Sequence, residues 1–305
     1  VMVMAGGTDL LPNMKRNLFE PKHLVGLSQV RDLDYVRTDP DGTVRIGAGT
    51  LLATVARHPD LARYPGLRAA AASGSTPHLQ NMGTIGGNLC LDTRCTYYDQ
   101  SFFWRQALGF CLKNGGTVCR VAASSPVCLA THSADTVPAF MVLDAEVSVV
   151  GPQGARAVKV GDLYRNDGKD CLRLGRGEIL TEVRVPPHEG YRTSYWKLRE
   201  RESIDFPLVG LAFAVKLVGK RAVEDARVAL TGVFSAPTRL GEVEKTLLGK
   251  ELDEAVIRAA AEAGHKAAHP VDNTTGSIVE RRNAVRVFIT RALREMAKDP
   301  SNEQE

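Results

Sequence analysis

With 305 residues, 44% of them hydrophobic and 24% charged, the sequence has the composition of a soluble globular protein of two or three domains, and no run approaches a membrane span. A net charge of +4 with acidic residues mixed throughout is too mild for nucleic-acid binding and is compatible with an acidic protein partner. Six cysteines are too few for a disulfide scaffold, and no signal peptide is recognisable, so the expected setting is cytosolic, where clustered cysteines bind metal more often than each other. The chain opens inside an apparent strand at Val1, and a preceding segment is expected.

Residues 1–4 predict a strand, with Val3 and Met4 running into Ala5, Gly6, Gly7, Thr8 and Asp9. An apolar strand, a glycine pair and a small polar residue let a backbone approach phosphate oxygens, because glycine reaches the positive φ that turns successive N–H groups inward. Thr8 adds a hydroxyl, and Asp9 would hold the loop or a ribose hydroxyl. An ordinary strand-to-helix turn has the same pattern. Leu10 opens a helix predicted over 10–16, whose N-terminus favours an anion. A strand is predicted at 23–27, a turn or short helix at 28–34, and a hairpin arm at 43–46 after the turn D-P-D-G. Gly47-Ala48-Gly49-Thr50 is a second passage of small residues. Helices follow at 51–58 and 64–73, then a loop over 74–80.

The stretch N-M-G-T-I-G-G-N-L at 81–89 contains Thr84, Ile85, Gly86, Gly87 and Asn88. It is not a dinucleotide fingerprint, since no strand–loop–helix unit with a later acid surrounds it, and it lacks the Gly-Lys-Ser/Thr ending of a Walker loop. It can form a nest of N–H groups, although a glycine turn alone accounts for it. Two glycine loops, at 5–9 and 83–88, suit one elongated ligand with a pyrophosphate.

Cys95, Cys111, Cys119 and Cys128 follow with the spacing C-x15-C-x7-C-x8-C. Four thiolates can bind a [4Fe–4S] cube or one zinc ion, and the lack of a C-x2-C pair disfavours a zinc ribbon. Cys90 and Cys171 read as small buried apolar residues, with Cys90 the substitute ligand. His132 reads as a surface histidine. Tyr97, Tyr98, Phe102, Phe103 and Trp104 predict a small local core covering this excursion. The run 134–144 reads as a return to a buried strand. A hairpin is predicted from 146–150 and 157–160, and a strand at 179–185. Strands at 195–198, 209–218 and 226–231 followed by helices at 237–248, 251–268 and 278–297 predict an α+β domain. The arginines at 281, 282, 286, 291 and 294 read mostly as a solvated helix face.

A-G-G-T-D-L-L-P at 5–12, G-T-I-G-G-N-L at 83–89 and A-D-T-V-P-A-F-M-V-L-D-A-E-V at 134–147 resemble the FAD-binding medium subunits of the xanthine dehydrogenase and carbon monoxide dehydrogenase family. G-E-I-L-T-E-V-R-V-P at 177–186, Y-W-K-L-R at 195–199 and G-S-I-V-E-R-R-N-A at 276–284 extend the likeness over almost the whole chain. The resemblance implies an FAD-binding domain of the vanillyl-alcohol-oxidase/PCMH type in two parts, 1–46 and 47–190, with an insertion at about 90–132, then a C-terminal domain of antiparallel sheet and helices at 191–305. It implies that the two glycine loops wrap the FAD diphosphate, with Val3, Met4, Leu10, Gly74 and Ile85 among the cofactor contacts. By the same resemblance Asp135 hydrogen-bonds the flavin, Leu180 packs on its ring system and Lys197 approaches the isoalloxazine.

The insertion, with T-Y-Y-D-Q-S at 96–101, F-C-L-K at 110–113 and V-C-R-V-A at 118–122, resembles that of 4-hydroxybenzoyl-CoA reductase β subunits, where it carries an extra [4Fe–4S] cluster. That likeness implies an electron-transfer subunit carrying electrons from ferredoxin through the cluster and FAD to a partner with two [2Fe–2S] centres and a molybdopterin subunit. Two alternatives stand beside it: the FAD subunit of another molybdenum hydroxylase passing electrons to NAD or a quinone, and a zinc-stapled nucleotide-binding scaffold without catalysis. No general acid–base pair or nucleophile stands out in the sequence.

Overall fold

The computed structural model describes residues 1–219 and 221–298. At its centre lies the strand Val209–Val218, buried without interruption from Val209 to Val215. Successive strand side chains point to opposite faces. Leu211, Phe213 and Val215 accordingly join a core under the C-terminal helices, while Ala212 and Ala214 join a second core on the other side. The antiparallel sheet around this strand runs Thr238–Arg239, Ala222–Thr231, Val209–Val218, Tyr191–Leu198. Gly241–Leu247, Glu254–Ala267 and Ile278–Met296 cover its outer face. The predicted helix at 237–248 is shorter than expected because Thr238 and Arg239 pair with Leu230 and Ala229 as an edge strand.

The second core fills the space to a five-stranded antiparallel sheet in the order Val36–Thr38, Val44–Gly47, Ile179–Val185, Glu146–Gly151, Gly154–Lys159. Val183 pairs with both Ile46 and Val147, and all three are fully buried. Between the two sheets lies Thr136–Val142, which is a helix and not the predicted strand. All seven of its residues are buried. A short apolar run cannot distinguish a buried strand from a buried helix by periodicity. Pro138 stands in the first helical turn, where a missing N–H is tolerated. The alanines at 212, 214 and 229 leave room for a helix to lie against the sheet. Pro77–Gln80, read as loop, is also a helical turn, capped by Thr76 Oγ1 accepting from the Leu79 amide.

The N-terminal strand Met2–Met4 pairs in parallel with Leu24–Gly26, and Leu10–Lys15 is helical. Among the described residues no helix is long and apolar enough to cross a membrane.

The insertion is anchored at both ends. Arg94 and Thr131 exchange backbone hydrogen bonds at 2.8 and 2.6 Å, closing its neck. Asn273 in the C-terminal domain accepts from the Thr96 amide at 2.8 Å and donates through Nδ2 to the Leu129 carbonyl at 2.6 Å. Behind Asn273 lies Arg281, which is fully buried although its neighbours in sequence predicted a solvated arginine face. It donates to the carbonyls of Leu208, Val271 and Gly232, so its charge is satisfied by loop backbone.

His132, expected at the surface, is completely buried at the point where the chain leaves the insertion. Its backbone bonds Phe234 and Gly232, and its Nδ1 lies 3.0 Å from Thr231 Oγ1. Burial pushes its pKa down to about 3. The unfolded chain therefore takes up a proton below the ordinary histidine pKa that the native state refuses. Stability is fully present above about pH 6.5 and falls as pH drops toward 3, by about 1.4 kcal/mol per pH unit from this group. Urea unfolding at about pH 7, 6 and 5 should show that slope, and His132→Asn should flatten it; an unaltered slope would assign the acid sensitivity elsewhere.

Candidate functional site

The two glycine loops face one cleft of about 780 Å³, within the usual range for a cofactor site. Val3, Met4, Ala5, Gly6, Gly7, Thr8, Asp9 and Leu10 line one wall, and Thr84, Gly86, Gly87 and Asn88 another, with Leu180 across from them. The loops do not contribute in the same way. Among the described residues the amides of Gly6, Gly7, Thr8 and Asp9 find no acceptor in the protein, and they stand just before the helix Leu10–Lys15. Such a set of free donors at a helix N-terminus fits a diphosphate. In the second loop the amides are already engaged. Gly86 donates to the Ala48 carbonyl, Ile85 to that of Thr50, and Gly87 to Thr84 Oγ1 at 3.1 Å. That stretch is the capped start of the helix Ile85–Leu89.

Its glycines supply shape. A β-carbon at Gly86 would lie 2.8 Å from the Ala48 β-carbon, and one at Gly6 would lie 1.8 Å from the Met82 carbonyl oxygen. Gly6 thus lets the two loops touch each other, and Gly86 lets the second loop pack on the small-residue passage at 47–50. At Gly87 a β-carbon would meet Thr84 Oγ1 at 3.2 Å and the Ala5 β-carbon at 4.0 Å, on the cleft side. Asn88 accepts through Oδ1 from the Thr136 amide and hydroxyl, at 3.3 and 2.6 Å. Asp9 holds the loop, paired with Arg94 and accepting from Asn13 Nδ2.

Ile85, Gly74, Asp135 and Lys197 do not line this cleft. Ile85 points into the core. Lys197 is saturated by the carbonyls of Ser73 and Asp205, each at 2.8 Å, and stands 3.0 and 3.1 Å from the two oxygens of Asp135. Tyr195 donates to the same carboxylate at 2.8 Å. Burial pushes the Asp135 carboxyl up and the Lys197 ammonium opposes that shift. A β-carbon at Gly74 would lie 4.0 Å from Asp135 and 3.5 Å from Leu52, and Leu52 does line the cleft. The ion pair therefore stands directly behind the cleft wall. Ala48, Gly49, Leu51 and Leu52 belong to that wall as well. The small-residue passage at 47–50 was their signal; the wall at 27–34 had none.

Cys95, Cys111, Cys119 and Cys128 are all buried and together line one small cavity, with Tyr97, Tyr98, Leu112, Lys113 and Ala130 among its other walls. Burial pushes the Cys95 thiol up to about 12 and that of Cys128 to about 11, so unligated they are neutral apolar groups, whereas a bound metal deprotonates its thiols. Among the described residues no three His, Cys, Asp or Glu side chains are placed to hold a single ion. The four thiols instead surround a space, a donor set suited to a polynuclear centre. Cys171 is buried apart from this cavity, and Cys90 lines the cleft. Of the aromatic residues only Tyr97 and Tyr98 join the expected local core, packing with Leu18, Ala130, Cys95, Cys111 and Cys128. Tyr98 is buried, but Phe103 is 81% exposed and Phe102 and Trp104 are exposed on the short helix Phe102–Ala107. That helix is fastened by Arg105, which is buried and donates to the carbonyls of Arg16 and Asn17.

Removing the ammonium behind the cleft wall should leave Asp135 buried with Tyr195 alone. Lys197→Met should lose roughly 3 kcal/mol of stability in urea unfolding, and the double variant Lys197→Met, Asp135→Asn should recover part of it. Equal losses in the single and double variants would show that the carboxylate carries no charge there.

Residues 1–188 match the family described as the FAD binding domain in molybdopterin dehydrogenase, and residues 194–296 match the CO dehydrogenase flavoprotein C-terminal domain. The chain is 28% identical to the glyceraldehyde dehydrogenase medium chain of Sulfolobus acidocaldarius, over 96% of this chain and 90% of that one. It is 33% identical to the aldehyde oxidoreductase FAD-binding subunit PaoB of Escherichia coli, over 80% and 78%. Among solved structures it superposes on carbon monoxide dehydrogenase from Hydrogenophaga pseudoflava with a TM-score of 0.77 at 26% identity, covering 96% of this chain and 88% of that one. The chain belongs to the FAD-binding flavoprotein subunits of the molybdenum hydroxylase family.

Proposed function

We propose that this chain is the FAD- and [4Fe–4S]-containing electron-transfer subunit of a 4-hydroxybenzoyl-CoA reductase, acting in a complex with a molybdopterin subunit and a subunit carrying two [2Fe–2S] centres. The observation that carries this reading is the convergence of Cys95, Cys111, Cys119 and Cys128 on one buried cavity beside the flavin cleft. The cofactors supply one- and two-electron redox chemistry when bound, with ferredoxin as the proposed donor to the complex. The chain's own work is placement. The amides of residues 6–9 hold a diphosphate, Thr84 and Gly87 keep the opposite wall open, and the buried walls around the four thiols exclude water. The alternative of an FAD subunit serving a different molybdenum hydroxylase draws support from the relatives, which are named for aldehyde and carbon monoxide chemistry.

Two variants test the two sites separately. Gly87→Val should fold, because its side chain meets little protein, but should bind FAD more than tenfold more weakly, a loss of roughly 1.4 kcal/mol read from the flavin content of the dialysed protein. Full flavin occupancy in that variant would remove this wall from the cofactor site.

Cys111→Ser should lose about four irons per subunit while keeping its flavin. Zinc in place of iron in the anaerobically prepared parent protein, or four irons retained in Cys111→Ser and lost in Cys90→Ser, would overturn the cluster assignment.

A further inference from the structure

We infer that Lys113 acts as a buried counter-charge that sets the reduction potential at the four-cysteine cavity, and that Asp92 opposes it from the flavin side. The inference rests on the proposal that the cavity holds an iron–sulfur cube. Lys113 lies two residues beyond Cys111 and lines the cavity, yet its side chain is only 4% exposed. Its ammonium is fixed by Asp92 Oδ1 at 2.6 Å, Thr93 Oγ1 at 2.5 Å and the Gly168 carbonyl at 2.7 Å, and it sits 4.7 Å above the Tyr98 ring. Arg120 also lines the cavity, but its side chain is exposed and is bonded to the Phe110 and Leu108 carbonyls. Lys113 is therefore the positive charge there that water screens least.

Asp92 is absent from the cavity lining and present in the cleft lining. One of its oxygens takes the ammonium; the other, Oδ2, is buried without a partner. A single ion pair thus spans the wall between the two sites, with its cation toward the thiols and its anion toward the cleft. The two charges already act against each other on a neighbour. Burial holds the Cys171 thiol high, Asp92 raises it further and Lys113 lowers it.

One-electron reduction by dithionite places one additional negative charge on the cube. A nearby fixed ammonium stabilises that charge, and a carboxylate disfavours it. Lys113→Met should therefore lower the reduction constant about tenfold, a shift of about 59 mV for a one-electron centre, and Lys113→Arg should restore most of it. Asp92→Asn should move the potential the other way. It keeps an acceptor for the ammonium, so it remains informative even where Lys113→Met does not fold.

The test is a dithionite titration of the complex followed by electron paramagnetic resonance, with iron and flavin measured on each variant. Opposite shifts at unchanged iron content support the inference, since a purely structural role would lower iron occupancy without such a sign reversal. Unmoved potentials, or shifts of the same sign, in variants that retain iron and flavin would overturn it while leaving the cluster assignment standing. An iron-free parent protein would overturn both.

Discussion

The cleft depends on a contact that admits no β-carbon. At Gly6 the added atom would lie 1.8 Å from the Met82 carbonyl oxygen, so the two glycine loops meet backbone to backbone. That contact brings the free amides of residues 6–9 opposite Gly87 and Asn88. It also divides the labour between loops that look alike in sequence. One glycine pair is followed by unsatisfied donors, whereas the other has its donors consumed by Ala48, Thr50 and Thr84 and contributes a smooth wall. Glycine at these positions answers first to packing between loops, and the ligand site follows from it.

The insertion is a second consequence of backbone geometry. Its neck is closed by the Arg94–Thr131 pair, its far side is tied through Arg105 to residues 16 and 17, and Asn273 and Ser235 of the C-terminal domain hold it near Leu129 and Cys128. A cysteine-rich loop with so little regular structure keeps four thiols around one cavity because its neck pairs with itself, the C-terminal domain supplies partners for its backbone, and Arg105 ties it to residues 16 and 17. The buried arginines at 105 and 281 each donate to at least two loop carbonyls and to one asparagine side chain, Asn114 and Asn273 respectively, as expected where backbone groups leave water without joining a helix or sheet.

Most strands and helices were legible in the sequence, since turn residues and apolar periodicity are local. The cleft-lining residues at 3–10, 84 and 86–88 were legible through the family resemblance of the two loops, since the strand–glycine–polar pattern alone fits an ordinary turn as well. What escaped depended on long-range packing. The run at 136–142 became a helix because alanines some seventy residues downstream on the sheet leave room for one. His132 is buried by strands from the C-terminal domain, and Lys197 is drawn from the cleft by carbonyls of Ser73 and Asp205 that no local pattern could connect to it. Lys113 had no signal at all, because a lysine two residues after a cysteine is ordinarily a surface residue.

The charges at the base of the insertion share one orientation. Asp9 and Asp92 both line the cleft, and each is paired with a cation from the inserted segment, Arg94 and Lys113 respectively. Both cations are buried, and each also lies near an aromatic ring, Phe206 for Arg94 and Tyr98 for Lys113. A buried pair of this kind contributes little net stability, because desolvation offsets most of the Coulomb attraction. Two such pairs with the same polarity therefore call for an explanation beyond holding the insertion in place. They leave two carboxylates at the cleft, and one of the two cations, Lys113, beside the four thiols. A phosphate-bearing ligand in the cleft is held by the backbone donors of residues 6–9 against these carboxylates, whose charge the paired cations partly neutralise. The same two contacts that seat the insertion on the FAD-binding domain thus keep the carboxylates at the cleft wall paired, which weakens their repulsion of a diphosphate.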